Sequence, residues 1–320
     1  MPASSDPFGI TVVIVHWNAR AELADCLRSL ERQTDRDFDT ILVDNGSTDG
    51  SIEMLGRDFP WVRTILAGEN LGFAEGANRG IEASRRAWIA TLNNDTVVDP
   101  RWIETLRSAA REAHDRLGML QSRVVLADHP DRTNSTAVLL YADGSAEDRD
   151  FDVPLRPDDR PQEVFCPTAG AALYRRRMLD EVRLGSGVFD RRFFMYFEDV
   201  DLGWRCRLAG WSALYVPDAI VRHRFQASSR RHPGRFIGMH LKRNRLRMLL
   251  KNGSWWFIAR TLPRTLFDLC EAIVWQGPRV VGQFVRAARD GLDERSAVLR
   301  IQRVERRDVE RRWVVRQGRR

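Results

Sequence analysis

Ile10-Thr-Val-Val-Ile-Val-His16 is the stretch that decides the fold. It is β-branched and almost continuously apolar, as a parallel strand buried on both faces has to be. Asn18 follows as a helix cap, and Leu23, Cys26, Leu27 and Leu30 then recur at helical spacing. A second strand over 38–43 runs into the polar turn Asp44-Asn-Gly-Ser-Thr-Asp-Gly50. A third, 62–66, precedes Gly68-Glu-Asn-Leu-Gly-Phe-Ala-Glu-Gly76 and a helix ending near Ser84. A fourth, 87–92, closes at Asn93-Asn94-Asp95, and Pro100 suits the first turn of the next helix. Strands alternating with helices at this spacing predict an α/β fold with a mostly parallel sheet. In such sheets ligands bind beyond the carboxyl ends of the strands. The loops at Asp44, 70–76 and Asp95 are therefore expected to share one crevice.

The second half is less regular. Residues 119–126 and 169–174 read as strands, with an acidic, Pro-containing mobile loop expected over 143–159. A short strand over 211–216 is expected to stop at Pro217. Between them lies Phe193-Phe-Met-Tyr-Phe-Glu-Asp-Val-Asp-Leu-Gly-Trp204, an aromatic, strand-like run that ends in Glu198, Asp199 and Asp201. Val200, Trp204 and Leu208 then form one helical stripe. The acids fall in the first turn of that helix, where its dipole favours negative charge. A carboxylate sheltered by aromatic rings has its pKa raised and can accept a proton.

With 320 residues, 43% of them hydrophobic, the chain can bury one large core and a smaller second unit. Nothing at its start reads as a signal peptide, and no uncharged run reaches the ~18 residues of a membrane span. The four cysteines form no Cys-x-x-Cys pair, which predicts reduced thiols in a cytosolic protein. The net charge of +7 is uneven. From Arg222 onward 25 Lys and Arg face 8 Asp and Glu, against 26 and 36 before it. Within that basic tail, arginines alternate with apolar residues over 236–250, and Trp255-Trp-Phe-Ile258 follows. Such segments suit helices lying on an anionic membrane surface. They suit equally a helical subdomain packed on the body or on a second subunit of a homodimer.

No glycine fingerprint of the dinucleotide or P-loop type is present. Asp95, at a strand end after two asparagines, suits a hard divalent ion bridging a diphosphate. Taken together the motifs make the chain resemble the family 2 glycosyltransferases of the GT-A fold, especially bacterial rhamnosyltransferase-like members. The resemblance spans roughly residues 10–228. It rests on Thr11-Val-Val-Ile-Val-His-Trp-Asn18, Val43-Asp-Asn-Gly-Ser-Thr-Asp-Gly50, Asn70-Leu-Gly-Phe-Ala-Glu-Gly-Ala-Asn78, Leu92-Asn-Asn-Asp95 and Phe194-Met-Tyr-Phe-Glu-Asp-Val-Asp-Leu202, in that order.

The resemblance implies a GT-A catalytic domain over 1–228 and an Arg-rich amphipathic helical region over 229–320. Asp44, with Trp17 and Asn18, would hold the base and ribose of a nucleotide-diphosphate sugar. Asn70, Gly72 and Asn78 would shape the loop around that donor. Asp95 matches the last acid of the family's Asp-x-Asp motif for Mg2+ or Mn2+, while Asn93 replaces the first. Asp199 matches the catalytic base, with Glu198 as the alternative, and His223 matches a histidine that ligates the metal in some members. The implied activity is inverting transfer of a sugar, with dTDP-rhamnose as a candidate donor, to a glycan or lipid-linked acceptor in cell-envelope polysaccharide synthesis. The implied place is the cytoplasm, at the inner face of the plasma membrane. Two alternatives stand beside it. A sugar-1-phosphate nucleotidyltransferase would need a Gly-rich, basic loop after the first strand, which His16-Trp-Asn-Ala19 does not supply. A nucleic-acid-binding protein acting through the basic tail would leave the strand-end acids without a role.

Overall fold

The computed structural model describes residues 6–156, 159–224 and 234–316. The expected 228/229 boundary, with Ser228, lies outside the described residues. β1 (Ile10–His16), β2 (Phe38–Asp44) and β3 (Arg63–Leu66) alternate with α1 (Arg20–Glu31), α2 (Ser51–Asp58) and α3 (Gly72–Ala83). β4 (Trp88–Asn93) and β5 (Thr96–Val98) precede α4 (Trp102–Arg111), β6 (Leu117–Leu126) and β7 (Thr133–Ser135). A hairpin of β8 (Val138–Tyr141) and β9 (Ala146–Asp148) is followed by β10 (Gln162–Glu163), β11 (Ala171–Arg175) and α5 (Arg176–Val182). α6 (Glu198–Leu208) and β12 (Ser212–His223) complete the body. Then come α7 (Gly234–Asn252), α8 (Trp255–Gln276), α9 (Val280–Ile301), α10 (Arg306–Trp313) and β13 (Val314–Val315).

The main sheet runs β10-β12-β6-β11-β4-β1-β2-β3. β1 is parallel to β2 and β4, and β12 is parallel to β6. β11 is antiparallel to both its neighbours, so the sheet is mixed and mostly parallel. β1 shows why its sequence is apolar throughout. Val12 and Ile14 pack with Leu23, Leu27 and Trp102 on one face, while Val13 packs with Ala77 and Ile81 on the other. Each such fully buried aliphatic side chain contributes about 1.5–3 kcal/mol.

Three expectations for the second half are corrected. Pro217 does not stop β12: the ladder to β6 shifts register between Val216 and Ile220 and then resumes to His223. A bulge absorbs the missing N–H donor. The 143–159 segment holds β9, paired with β8 in a small sheet that β13 completes. Residues 193–197 are not a strand. A 3-10 turn over Arg191–Phe193 is followed by Phe194, Tyr196 and Phe197 at φ 64, 66 and 68°.

The α6 stripe of Val200, Trp204 and Leu208 is buried as expected, and its partners come from the tail. Met248 and Leu249 of α7, Phe257 of α8, Val298 of α9 and Val309 of α10 share that cluster with Val138 and Leu140 of β8. The tail's charges are engaged too. Arg245 pairs with Asp268 at 2.9 Å and Arg247 with Asp290 at 2.8 Å. Lys251 is fully buried between Asp190 at 2.6 Å and Asp201 at 3.1 Å. Buried charges persist only when paired in this way.

Candidate active site

A crevice of about 750 Å³ opens beyond the carboxyl ends of β1 and β4. It brings together Trp17, Asn70, Gly72, Asn93, Asp95, Glu198, Asp199 and His223. A second hollow of about 740 Å³, around Asp39, Trp61 and Arg63, lies at the opposite, amino end of the strands. Ligands of open α/β sheets bind at the carboxyl end, so the first crevice is the one that matters here.

One side of the crevice is built by loops that brace one another. Asp44 ends β2, and its Oδ2 accepts from the N–H groups of Gly46 and Ser47, both at 3.0 Å. Its Oδ1 is buried with no hydrogen bond among the described residues. Asp44 thus lies beneath its turn, and the neighbouring Asn45 forms the crevice wall. Asn18, at φ 48°, does not cap α1. Its Oδ1 accepts from Thr48 N at 2.8 Å, while Asp49 accepts from Arg20 N at 2.9 Å. Asn70 Oδ1 accepts from Gly72 N at 3.0 Å and so fixes the start of α3. Gly72 has φ 76°, and a Cβ there would collide with the Phe194 carbonyl and ring. Asn78 does not reach the crevice. Both ends of its side-chain amide bond the backbone of Phe189, at 2.7 and 2.9 Å.

The strand shift at Pro217 has a consequence for the acids. It carries β12 far enough to pair His223 with Thr96, next to Asp95. His223 Nε2 lies 3.2 Å from Asp95 Oδ1, and its Nδ1 lies 2.6 Å from Asn134 Oδ1. With Nδ1–H donating to Asn134, Nε2 turns its lone pair toward the carboxylate. At that spacing the two side chains can serve as neighbouring ligands of one divalent cation. One carboxylate oxygen and one imidazole nitrogen make a suitable partial set for Mg2+ or Mn2+, completed by diphosphate and water. No group of three such side chains occurs among the described residues. The turn itself is braced from below, because Asn94 Nδ2 lies 2.8 Å from Nδ1 of the buried His16.

Asp199 sits in the first turn of α6, deep in the protein but with part of its surface open to the crevice. Burial pushes its pKa up to about 6, against the N–H groups of Ala169 at 3.3 Å and Val200 at 2.8 Å, which favour its charged form. Glu198 is pushed well above the usual carboxyl range, first by burial and then by the charge of Asp199. Its Oε2 has no hydrogen bond among the described residues. Of the two, Asp199 ionises first and Glu198 keeps its proton. The third acid, Asp201, is fully buried and held by Arg205, Lys251 and Asn252, which makes it structural.

Two residues escaped the sequence reading. Asp148 of β9 lines the crevice, its pKa raised by burial. Asn244 of α7 points its amide nitrogen at the carbonyls of Phe193, Met195 and Tyr196, at 2.9, 2.8 and 2.9 Å. Neither stands in a recognisable motif. Asp148 comes to the site on the β8–β9 hairpin, which β13 joins from far along the chain, and Asn244 through the packing of α7 on α6.

Residues 7–237 match the model of the glycosyltransferase like family 2, and the chain belongs to this family. It is a glycosyltransferase. Its sequence is 30% identical over 276 residues to the N-acetylglucosaminyl-diphospho-decaprenol L-rhamnosyltransferase of Mycobacterium tuberculosis, covering 77% of this chain and 86% of that one. Among solved structures it resembles GalNAc-T7 with UDP, GalNAc and Mn2+, at a TM-score of 0.64 and 14% identity over 91% of this chain and 57% of that one. It also resembles a mannosyltransferase from Pyrobaculum calidifontis in complex with GDP-Man and Mn2+, at a TM-score of 0.54 and 14% identity, covering 95% and 87%. These likenesses place the chain in the GT-A fold.

Proposed function

We propose that this glycosyltransferase moves a sugar, with inversion, from a nucleotide-diphosphate donor to a hydroxyl of a lipid-linked glycan acceptor. The observation that carries the reading is Asp199, a carboxylate with a pKa near 6 in the crevice that also holds Asp95 and His223. A base of that strength is mostly ionised at neutral pH and strong enough to take a hydroxyl proton in the transition state. The 70–76 loop and the β1 end, with Trp17 and Asn45, receive the nucleotide, and Asp44 supports that wall from beneath its turn. Asp95 and His223 would hold Mg2+ or Mn2+, which supplies neutralisation of the departing diphosphate. Asp199 then deprotonates the acceptor hydroxyl, which attacks the anomeric carbon from the face opposite the diphosphate. No covalent intermediate on the chain is required.

The name of the mycobacterial relative supports rhamnose as the sugar and a polyprenyl-diphosphate-linked acceptor; dTDP-rhamnose as the donor and a place in cell-envelope polysaccharide synthesis extend that reading. The cytoplasmic face of the plasma membrane follows as the working place. The polyanion-binding alternative is weakened because Arg245, Arg247 and Lys251 are spent on internal acids. A panel of nucleotide-sugars incubated with a decaprenyl-diphosphate N-acetylglucosamine acceptor tests the reading. The expected result is release of dTDP from dTDP-rhamnose and an inverted linkage by NMR. Retention of configuration, or no turnover with any donor, overturns it.

A further inference from the structure

We propose that α8 docks on an anionic lipid bilayer, with its outer face sunk among headgroups and upper acyl chains. This deepens the lipid-linked acceptor reading, but its test uses no acceptor and no transfer, so either can fail alone.

The outer face of α8 is largely uncovered, with Arg295 of α9 over Trp255 and the packing of Ile273 as its contacts with the rest of the chain. Val274 is 80% exposed, Trp255 61% and Phe267 59%, and Trp256, Leu262 and Leu266 are also more than half exposed. At ~100° per residue these six fall within an arc of about 140°. The positions between them are Ala259, Pro263, Cys270 and Ile273, so no charged side chain interrupts the arc. The opposite side of the helix is the buried one, carrying Phe257, Thr261, Asp268 and Ala272. An apolar face along a helix ~33 Å long far exceeds the scattered exposure normal for a monomer surface. No helix among the described residues is long and apolar enough to cross a membrane. The face therefore fits lying in the interface.

Charge selects the occupant. Arg260 and Arg264 border the arc, and their guanidinium groups stand over the rings of Trp256 at 5.4 Å and Phe267 at 5.8 Å. Arg295 from α9 covers Trp255 at 4.1 Å. Of the acids of α8, Asp268 is buried and held by Arg245, and the half-exposed Glu271 is engaged by Lys242 at 2.6 Å. A rim of arginines and aromatic rings around an apolar strip matches lipid phosphates above acyl chains. A symmetric contact with a second copy would set the same arginine rim against itself, without acids to neutralise it. Arg243, Arg245 and Arg247 of α7, the expected lipid-facing cations, bond Gln283, Asp268 and Asp290. Arg264 also pairs with Asp268, at 3.0 Å, but its side chain stays 48% exposed, so the docking cations are Arg260, the outer part of Arg264 and Arg295. The face also lies one helix from the chemistry, because α8 packs on α7, whose Ile237 and Leu241 line the crevice.

The full chain is floated with vesicles of phosphatidylcholine alone and of phosphatidylcholine with phosphatidylglycerol. Binding to the anionic vesicles is expected, weakened at least about tenfold at all salt concentrations by Trp255→Ser with Trp256→Ser and Phe267→Ser. Arg260→Gln with Arg264→Gln should weaken it mainly at low salt, where screening is least. A second measurement needs no substitution. Cys270 is the one exposed cysteine among the four and lies mid-arc, so a polarity-sensitive dye on it should shift to the blue on anionic vesicles. A chain that ignores both vesicle types, or a dye that reports water throughout, overturns the proposal. So does a dimer in solution that the three aromatic substitutions dissolve, because the face then belongs to a second copy.

Discussion

The side-chain amide nitrogen of Asn244 lies 2.9 Å from the carbonyl oxygen of Tyr196, two residues before Glu198. The carbonyls of Phe193 and Met195 converge on the same nitrogen. An amide nitrogen has two hydrogens, so it shares them among three acceptors. The loop it gathers holds three non-glycine residues at positive φ, a conformation that costs on the order of 1–3 kcal/mol per residue and persists only when its surroundings impose it. Asn244 is therefore a positioning residue for Asp199. Its Oδ1 in turn accepts from Arg247 at 2.6 Å, and Arg247 reaches Asp290 on α9.

Asn244→Asp keeps the shape and removes both donors. We expect kcat to fall about 10- to 100-fold, equivalent to ~1.4–2.7 kcal/mol of lost transition-state stabilisation, with little change in donor KM. The acid limb of the pH profile should move toward lower pH as water reaches Asp199. A lower melting temperature with an unmoved limb and unchanged kcat would reduce Asn244 to a purely structural role.

Asp199→Asn should cut kcat by about 10²–10⁴ while leaving donor affinity nearly intact, as measured by calorimetric titration. It should also stabilise the fold. The folded-state pKa of about 6 lies above the ordinary 3.8, so folding disfavours the charged form. Stability from this group is full below about pH 4 and is lost as pH rises through about 6. The neutral amide removes that penalty, so the variant should melt higher than the parent at pH 7.5. Glu198→Gln should cost far less activity, because Glu198 already keeps its proton.

For the parent enzyme, kcat should decline as pH falls through about 6, with one proton taken up. A limb near 4 would mean that the base is more exposed to water during turnover than in the structure.

Asp95→Ala and His223→Ala should each weaken Mn2+ binding in the presence of a nucleoside diphosphate by at least about tenfold, read by titration calorimetry without turnover. Asn134→Ala should do so more mildly, by freeing the imidazole. Undiminished Mn2+ affinity in both Asp95→Ala and His223→Ala would remove the metal from this pair.

The strand-end loops were legible because they lie where strong periodicity ends. Once β1, β2 and β4 are placed, Asp44, Asn70 and Asp95 have nowhere to go but one edge. Legibility fell where position depends on distant partners. The 193–197 run carries strand-forming aromatics, yet Asn244 and the packing of Phe194 on Gly72 impose left-handed turns that no local preference favours. Pro217 looked like a strand end because its missing N–H is a local fact, while the bulge that tolerates it depends on β6. Asn78 matched a motif position, but its amide is used up on Phe189. Asp148 stood in an acidic stretch whose order comes from β8 and from β13, more than 160 residues on in the chain.

That last pairing bears on how the protein is made. β13 lies beside β8, and α7, α9 and α10 complete the cluster around Trp204. A nascent chain with its donor-side loops already outside the ribosome still lacks the groups that bend 193–197 and cover α6. Contacts of such sequence separation form late and slowly. The half-made chain would leave Asp199 unseated, and the crevice would be complete only once the residues through β13 had emerged.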